Sequence, residues 1–278
     1  MRKYSRNPVT PPSKQSVDSD GRRLVNRAVV KALTVLEHLL AYRSGRTLSQ
    51  LSEDLNLPMS SVNDIIKTLV KMGYLQHDSE SRRYKLTLKL TDLGQTYLHQ
   101  TGLYTVSVPQ VGQLSKRFDC VAAVYQFDRG ARKLLLIEEE GGAPHLRFGW
   151  QIGSAILHCS APGKVVLASL TSDEVAEILS VVGMPQLTPH TITNLVDLER
   201  DLALVRKQGY ALDNQETFLG IGCIAIPITV RESPLAALTL RMPIERLEPE
   251  FITRSLELLL NTAAAIANGV TRTEPRTT

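Results

Sequence analysis

Apolar residues set up a helical rhythm early in the chain. Val29, Leu33, Leu36 and Leu40 are spaced by threes and fours, which predicts a helix from near Leu24 with one buried face. The stretch YRSGR interrupts that rhythm through Gly45. A short apolar stripe follows over Leu48–Leu55, with Thr47 placed to cap it, and a second over Ser61–Lys71, with Ser60 in the capping place. Pro58 lies in the break between them, where its missing N–H disturbs neither helix. Gly73 stands where a left-handed helix end is needed. Two strand-like runs, Tyr74–His77 and Arg83–Thr87, then flank the polar turn Asp-Ser-Glu-Ser. Three helices and a hairpin make a winged helix-turn-helix, whose short second helix braces the third for presentation to a groove.

The helical spacing resumes at Leu90, Leu93, Tyr97 and Leu98, and a further helix is expected to re-form near Pro109; together they read as a connector. Beyond Phe118 the pattern changes to short strands: CVAAVYQF, KLLLIEEE, CIAIPITV and LAALTLRM. Helices are predicted at Gly163–Leu170, Asp173–Leu179, Leu195–Lys207 and Pro249–Asn268. Antiparallel strands with intervening and flanking helices predict an α+β second part.

Charge sharpens the division. The chain carries +4 overall, but residues 1–100 hold 16 Lys and Arg against 9 Asp and Glu, while the other 178 residues hold 16 against 19. A basic first third on a slightly acidic remainder points to one module that meets a polyanion and another that does not. The competing explanation is local bias from the tail MRKYSRNPVTPPSKQSVDSDGR, whose Pro, Ser and charge predict disorder over 1–22. Three cysteines, odd in number and widely spaced, form neither a disulfide framework nor a zinc pattern and suit a reducing interior. The N-terminus lacks an apolar core and nowhere do eighteen apolar residues run together, so a cytoplasmic protein is expected, neither exported nor membrane-spanning.

Enzyme chemistry finds little to stand on. No carboxylate pair, metal cluster or nucleophile-base spacing is visible, so no cofactor and no catalysis are expected. His158 and Cys159 are adjacent, and as strand residues would point to opposite faces. The run APGKVV is not a phosphate loop, which would need Gly at 158 and Ser or Thr at 165 where His158 and Val165 stand. A winged helix can also serve as a protein-binding module, so DNA binding has one rival of another class.

With these residues assembled, the chain resembles the IclR family of bacterial transcription regulators, from about Val25 to Val270. Three ordered segments carry the resemblance: the helix-turn-helix with its LVKMGYL exit, GSAILHCSAPGKVVLASL, and VRKQGYALDNQETFLGIGCIAIPI. It implies a winged helix-turn-helix over 23–88, a linker helix over 89–104, a GAF-like effector-binding domain over 105–270 and a flexible tail over 271–278. It further implies a dimer or tetramer on palindromic promoter DNA, and a small organic acid as effector. Family recognition helices often begin Lys-Ser-Thr and carry an Arg near the fifth position, whereas PMSSVNDIIKTL places Met59 and Asp64 there. An acid opposes phosphate binding, yet an Asp can accept from a cytosine amino group.

Candidate DNA contacts are Ser60, Ser61 and Asn63, which can reach phosphate or base edges, and the cations Lys67, Arg82, Arg83 and Lys85 on helix and wing. Arg22, Arg23 and Arg27 are placed to enter an adjacent minor groove; the alternative for each is a solvated surface residue. In the second domain the resemblance places Ala161, Pro162 and Gly163 along the effector pocket, at a helix start whose free N–H groups suit an anion. Pro162 supplies no donor, and close helix packing is the competing role for Gly163. Asp213 and Cys223 sit where family members contact effector, with turn capping and apolar packing as alternatives. Strand alternation puts Thr239 and Arg241 on one face, which the resemblance makes the pocket side. A buried Arg there needs a partner: either a bidentate ligand carboxylate with Thr239 as second donor, or Asp213 or an outer glutamate, a pairing that would leave no anion site.

Overall fold

The structure, a computed structural model, describes residues 26–100, 102–147, 156–230 and 233–273. The chain divides between Thr96 and Tyr97 into two compact units.

The first unit opens with α1 (Arg27–Leu39), which starts behind Asn26 rather than near Leu24: the Asn26 carboxamide oxygen accepts from Ala28 N and Val29 N. The face that α1 buries also differs from the expected stripe. Val35 and Leu39 are buried, while Val29, Leu33 and Leu40 are more than half exposed. The α1 face that meets α3 (Met59–Lys71) is rotated, so it covers a different set of apolar residues. Thr47 caps α2 (Leu48–Asp54) in a full capping box with Gln50. Ser60 does not cap α3. Pro58 takes that place with no side-chain bond, its carbonyl accepting from Val62 N at 3.1 Å, because its extended ψ of 136° lets the helix start two residues early. Gly73 follows at φ +79°.

The wing is a three-stranded sheet. The expected hairpin forms as β2 (Leu75–Asp78) and β3 (Arg83–Leu86), and β1 (Arg46–Thr47), two residues long and unforeseen, pairs with β3 in the order β1-β3-β2. Asp78 closes the turn by accepting from Glu80 N and Ser81 N, both at 3.1 Å. Val35, Leu39, Leu51, Val62, Ile66, Leu69 and Leu75 form the core. After it runs α4 (Lys89–Gln100), which buries none of its residues.

A left-handed Gly102 separates α4 from α5 (Leu103–Phe118), so the helix re-forms well before Pro109, which lies inside α5. The helix tolerates it because Pro109 and Thr105, the residue whose carbonyl loses its donor, both face solvent. An antiparallel sheet follows: β4 (Val121–Asp128), β5 (Lys133–Glu140), β6 (Ala211–Asn214), β7 (Ile221–Val230) and β8 (Ser233–Pro243), ordered β5-β4-β8-β7-β6. Strand β6 was not foreseen. One sheet face, with Ala122, Val124, Ile224, Ile226, Leu238 and Leu240, packs on α5 and on α9 (Pro249–Thr273). The other face packs on α6 (Ala161–Ala168), α7 (Ser172–Val182) and α8 (Leu195–Gln208). There Ala225 and Ala237 keep the sheet low enough for α6 to lie close.

Candidate DNA interface and effector site

Helix α3 buries Val62, Ile66 and Leu69 and turns Ser60, Asp64, Lys67 and Lys71 outward. Asn63 lies half-buried at the edge of that exposed face. Lys71 was missed, although its spacing of four from Lys67 puts it on the same face. The other candidates are engaged internally. Ser61 Oγ accepts from Lys31 Nζ at 3.1 Å, bracing α1 on α3. Arg83 donates to Gly45 O at 3.0 Å and ties the wing to the turn before β1. Lys85 pairs with Asp78 at 3.2 Å across the hairpin, and the Ser81 donors and Lys85 hold the Asp78 carboxyl far below its usual pKa. Arg82 stands exposed at the wing turn with φ +53°. Arg27 is the exposed first residue of α1; Arg22 and Arg23 lie outside the described residues.

In the second unit one cross-strand row brings three candidates together. Arg241 on β8 pairs in register with Cys223 on β7, and Cys223 with Asp213 on β6. Thr239 stands two residues along from Arg241 and donates to Ala123 O at 3.3 Å. Arg241 is 3% exposed, and an outer glutamate is among its partners. It donates to Glu139 Oε1 at 3.0 Å, to Leu146 O at 2.7 Å and to the Tyr125 hydroxyl. Burial works against its charge, but the hydrogen bond to Tyr125 and the Glu139 carboxylate favour it, and its pKa is raised. Burial pushes the Tyr125 hydroxyl and the Cys223 thiol each up to about 12, so both are neutral.

Asp213 does what a turn cap does. Its Oδ1 accepts from Glu216 N at 2.7 Å and Thr217 N at 3.2 Å, while burial raises its pKa against those donors. Ala161, Pro162 and Gly163 form the first turn of α6, all buried. The expected free donors are mostly spent: Ser160 N bonds to Ile156 O, Pro162 has none, and Gly163 N donates to Ser160 Oγ at 3.1 Å. That leaves the Ala161 N–H at the helix start. Gly163 is also tightly packed, since a Cβ there would fall 2.3 Å from Leu157 O.

Sequence reasoning passed over a second charged cluster beside this row. Lys164, 2% exposed, points its ammonium at Asp201 Oδ2 (2.8 Å), Glu216 Oε1 and Leu212 O (3.1 Å), joining α6 to α8 and β6. A lysine inside the apolar run APGKVVLA was the available signal. His158 and Cys159 belong to a turn, not a strand, and turn to separate partners: His158 Nε2 to Pro185 O at 3.2 Å, and Cys159 Sγ to the Thr217 hydroxyl at 3.8 Å. Among the described residues no group of three or more His, Cys, Asp or Glu is placed to hold a metal.

Comparison with known proteins places both units. Residues 28–79 match the IclR helix-turn-helix domain, and residues 95–268 match the C-terminal domain of the bacterial transcriptional regulator IclR. The chain belongs to the IclR family. It is 34% identical over 202 residues to the HTH-type transcriptional regulator KdgR of Dickeya chrysanthemi, covering 72% of this chain and 65% of that protein. To the HTH-type transcriptional repressor AllR of Klebsiella pneumoniae it is 26% identical, covering 88% and 90%. A crystallised IclR homologue from Microbacterium hydrocarbonoxydans, complexed with 4-hydroxybenzoate, shares the fold at a TM-score of 0.75 and 21% identity, covering 88% of this chain and 99% of that one. An IclR-type regulator is thus built here from a DNA-binding helix-turn-helix domain and a C-terminal effector-binding domain. No helix of the described residues is long and apolar enough to cross a membrane.

Proposed function

We propose that this IclR-type protein holds a palindromic promoter duplex through α3 and the wing, and that a small organic acid bound in the C-terminal domain alters that grip. It acts in the cytoplasm as a regulator, without catalysis of its own. Ser60, Lys67 and Arg82 are the exposed candidates for duplex contact, with the half-buried Asn63 beside them and Arg22 and Arg23 as minor-groove candidates; Ser61, Arg83 and Lys85 support the surface from behind. Two copies are needed for a palindrome, and the exposed Leu93 and Tyr97 one turn apart on α4 favour pairing of that helix with a second copy.

The observation that carries the effector reading is Arg241, a buried cation on the same sheet face as Thr239 and in one row with Cys223 and Asp213. A guanidinium already held by Glu139, Tyr125 and Leu146 O is oriented in advance, so a carboxylate that shares it with Glu139 or displaces Glu139 spends little on ordering the side chain. The small-molecule acid bound by the Microbacterium homologue is of the same chemical class. Ala161, Pro162 and Gly163 supply one wall of such a site.

Gel shifts on the chain's own upstream DNA, repeated with a panel of carboxylic acids including 4-hydroxybenzoate, test both halves. Affinity should fall steeply as salt rises, because cations on the protein release counterions from the duplex. At least one acid should change the shift for the wild type and lose its effect in Arg241→Met. Salt-insensitive binding, or an acid acting equally on both proteins, would overturn the respective half.

A further inference from the structure

Asp64 is the feature that DNA binding by charge alone leaves unexplained. On a helix that advances about 100° per residue, the mean direction of buried Val62, Ile66 and Leu69 lies about 170° from Asp64. The acid therefore occupies the centre of the outward face of α3, with Ser60, Lys67 and Lys71 around it and Met59 exposed at the helix start. Among the described residues its carboxylate makes no ion pair, although Lys67 lies one turn on; its backbone oxygen accepts from the Thr68 hydroxyl. In a helix-turn-helix domain the outward N-terminal half of the third helix meets base edges. A carboxylate there can only accept, and phosphates repel it. Guanine offers acceptors at O6 and N7, thymine an acceptor at O4, and adenine sets an N7 acceptor beside its amino group. Cytosine alone presents a major-groove donor with no acceptor next to it.

We propose that Asp64 is a specificity residue that accepts from the N4 amino group of a cytosine in each half-site and rejects guanine at that position. The same charge weakens non-specific binding, so the residue trades general affinity for discrimination. This rests on the reading of α3 as the DNA-contacting helix.

The test is in vitro selection from a random duplex library with the full-length wild type, Asp64→Ala and Asp64→Asn. It is followed by titration of the selected duplex with the cytosine replaced by 2-pyrimidinone, which lacks the amino group. The wild type should select cytosine at one position per half-site and bind the pyrimidinone duplex about tenfold more weakly. Asp64→Ala should lose the preference there alone, bind both duplexes equally and bind random sequence more tightly than the wild type. Asp64→Asn should shift the preference toward adenine, whose N6 and N7 an amide matches. If Asp64→Ala selects the same sites with uniformly higher affinity, the acid merely repels and the proposal fails. A wild type that selects no sequence overturns the DNA-contact reading along with it.

Discussion

Glu216→Gln decides which force wins in the buried lysine cluster. Lys164 Nζ faces two carboxylates, Asp201 and Glu216, so ionising both leaves one negative charge in excess. Glu216 is 6% exposed and its second oxygen has no hydrogen-bond partner among the described residues. Burial therefore outweighs the pull of Lys164 and lifts its pKa from 4.5 to about 7. Lys164, facing both acids, keeps its proton despite burial, held by Glu216 and Asp201. A carboxyl whose folded pKa lies above its unfolded value keeps a proton that the unfolded chain has already released. Its stabilisation is intact below about pH 4.5, is lost as the pH rises, and the loss levels off above about pH 7. At about 1.4 kcal/mol per pKa unit the loss is about 3 kcal/mol.

The amide of Glu216→Gln is a neutral isostere of the protonated acid, and its carbonyl still accepts from Lys164. The variant and the wild type should unfold alike near pH 4, whereas near pH 8 the variant should be the more stable by about 3 kcal/mol. For a unit of this size that is roughly 6–12 °C in Tm. Thermal and urea unfolding followed by far-ultraviolet circular dichroism between these pH values reads it directly. A variant destabilised near pH 8 by about 3–5 kcal/mol would show that the ion pair is a net gain and that the desolvation argument is wrong.

Three further outcomes follow from other contacts. Arg241→Met leaves the Glu139 side chain, 8% exposed, without its cation and should cost about 3–5 kcal/mol in urea unfolding; adding Glu139→Gln should recover most of it. Gly163→Ala forces a methyl to within 2.3 Å of Leu157 O, and the backbone shift it demands should lower stability by about 1–3 kcal/mol or more in the same assay. Thr47→Ala removes the side-chain half of the α2 capping box and should cost the first unit about 1 kcal/mol, read as a shift of its thermal transition.

The helix-hairpin order of the first unit was legible because its signals are local. Thr47 with Gln50, Pro58 between two stripes, and Gly73 at a helix end each act within one turn of chain. Rotation and phase were not. The apolar positions of α1 include two overlapping stripes, and only contact with α3 selects Val35 and Leu39 over Val29 and Leu33. Strand β1 has two residues, too few for an alternation to show. Pro109 misled because its cost depends on whether Thr105 O can reach water, which no spacing reveals.

The candidate site divides along the same line. That Thr239 and Arg241 share a face follows from strand alternation alone. What Arg241 holds does not, since Glu139, Leu146 and Tyr125 lie 102, 95 and 116 residues away along the chain. A buried charge in a sequence thus announces that a partner exists and leaves its identity to the sheet order, here β5-β4-β8, which brings the strands of Glu139, Tyr125 and Arg241 side by side. The same reasoning covers Lys164, whose carboxylates come from α8 and from the loop after β6. Where partners are distant in sequence, the cost of removing one depends on what the others can do instead: Glu216 can take up a proton, whereas Arg241 keeps its charge. The two substitutions should therefore show their effects at the same end of the pH range: Glu216→Gln matters only where the acid would ionise, and Arg241→Met costs most where the Glu139 it strands is charged, since a protonated carboxyl needs no cation.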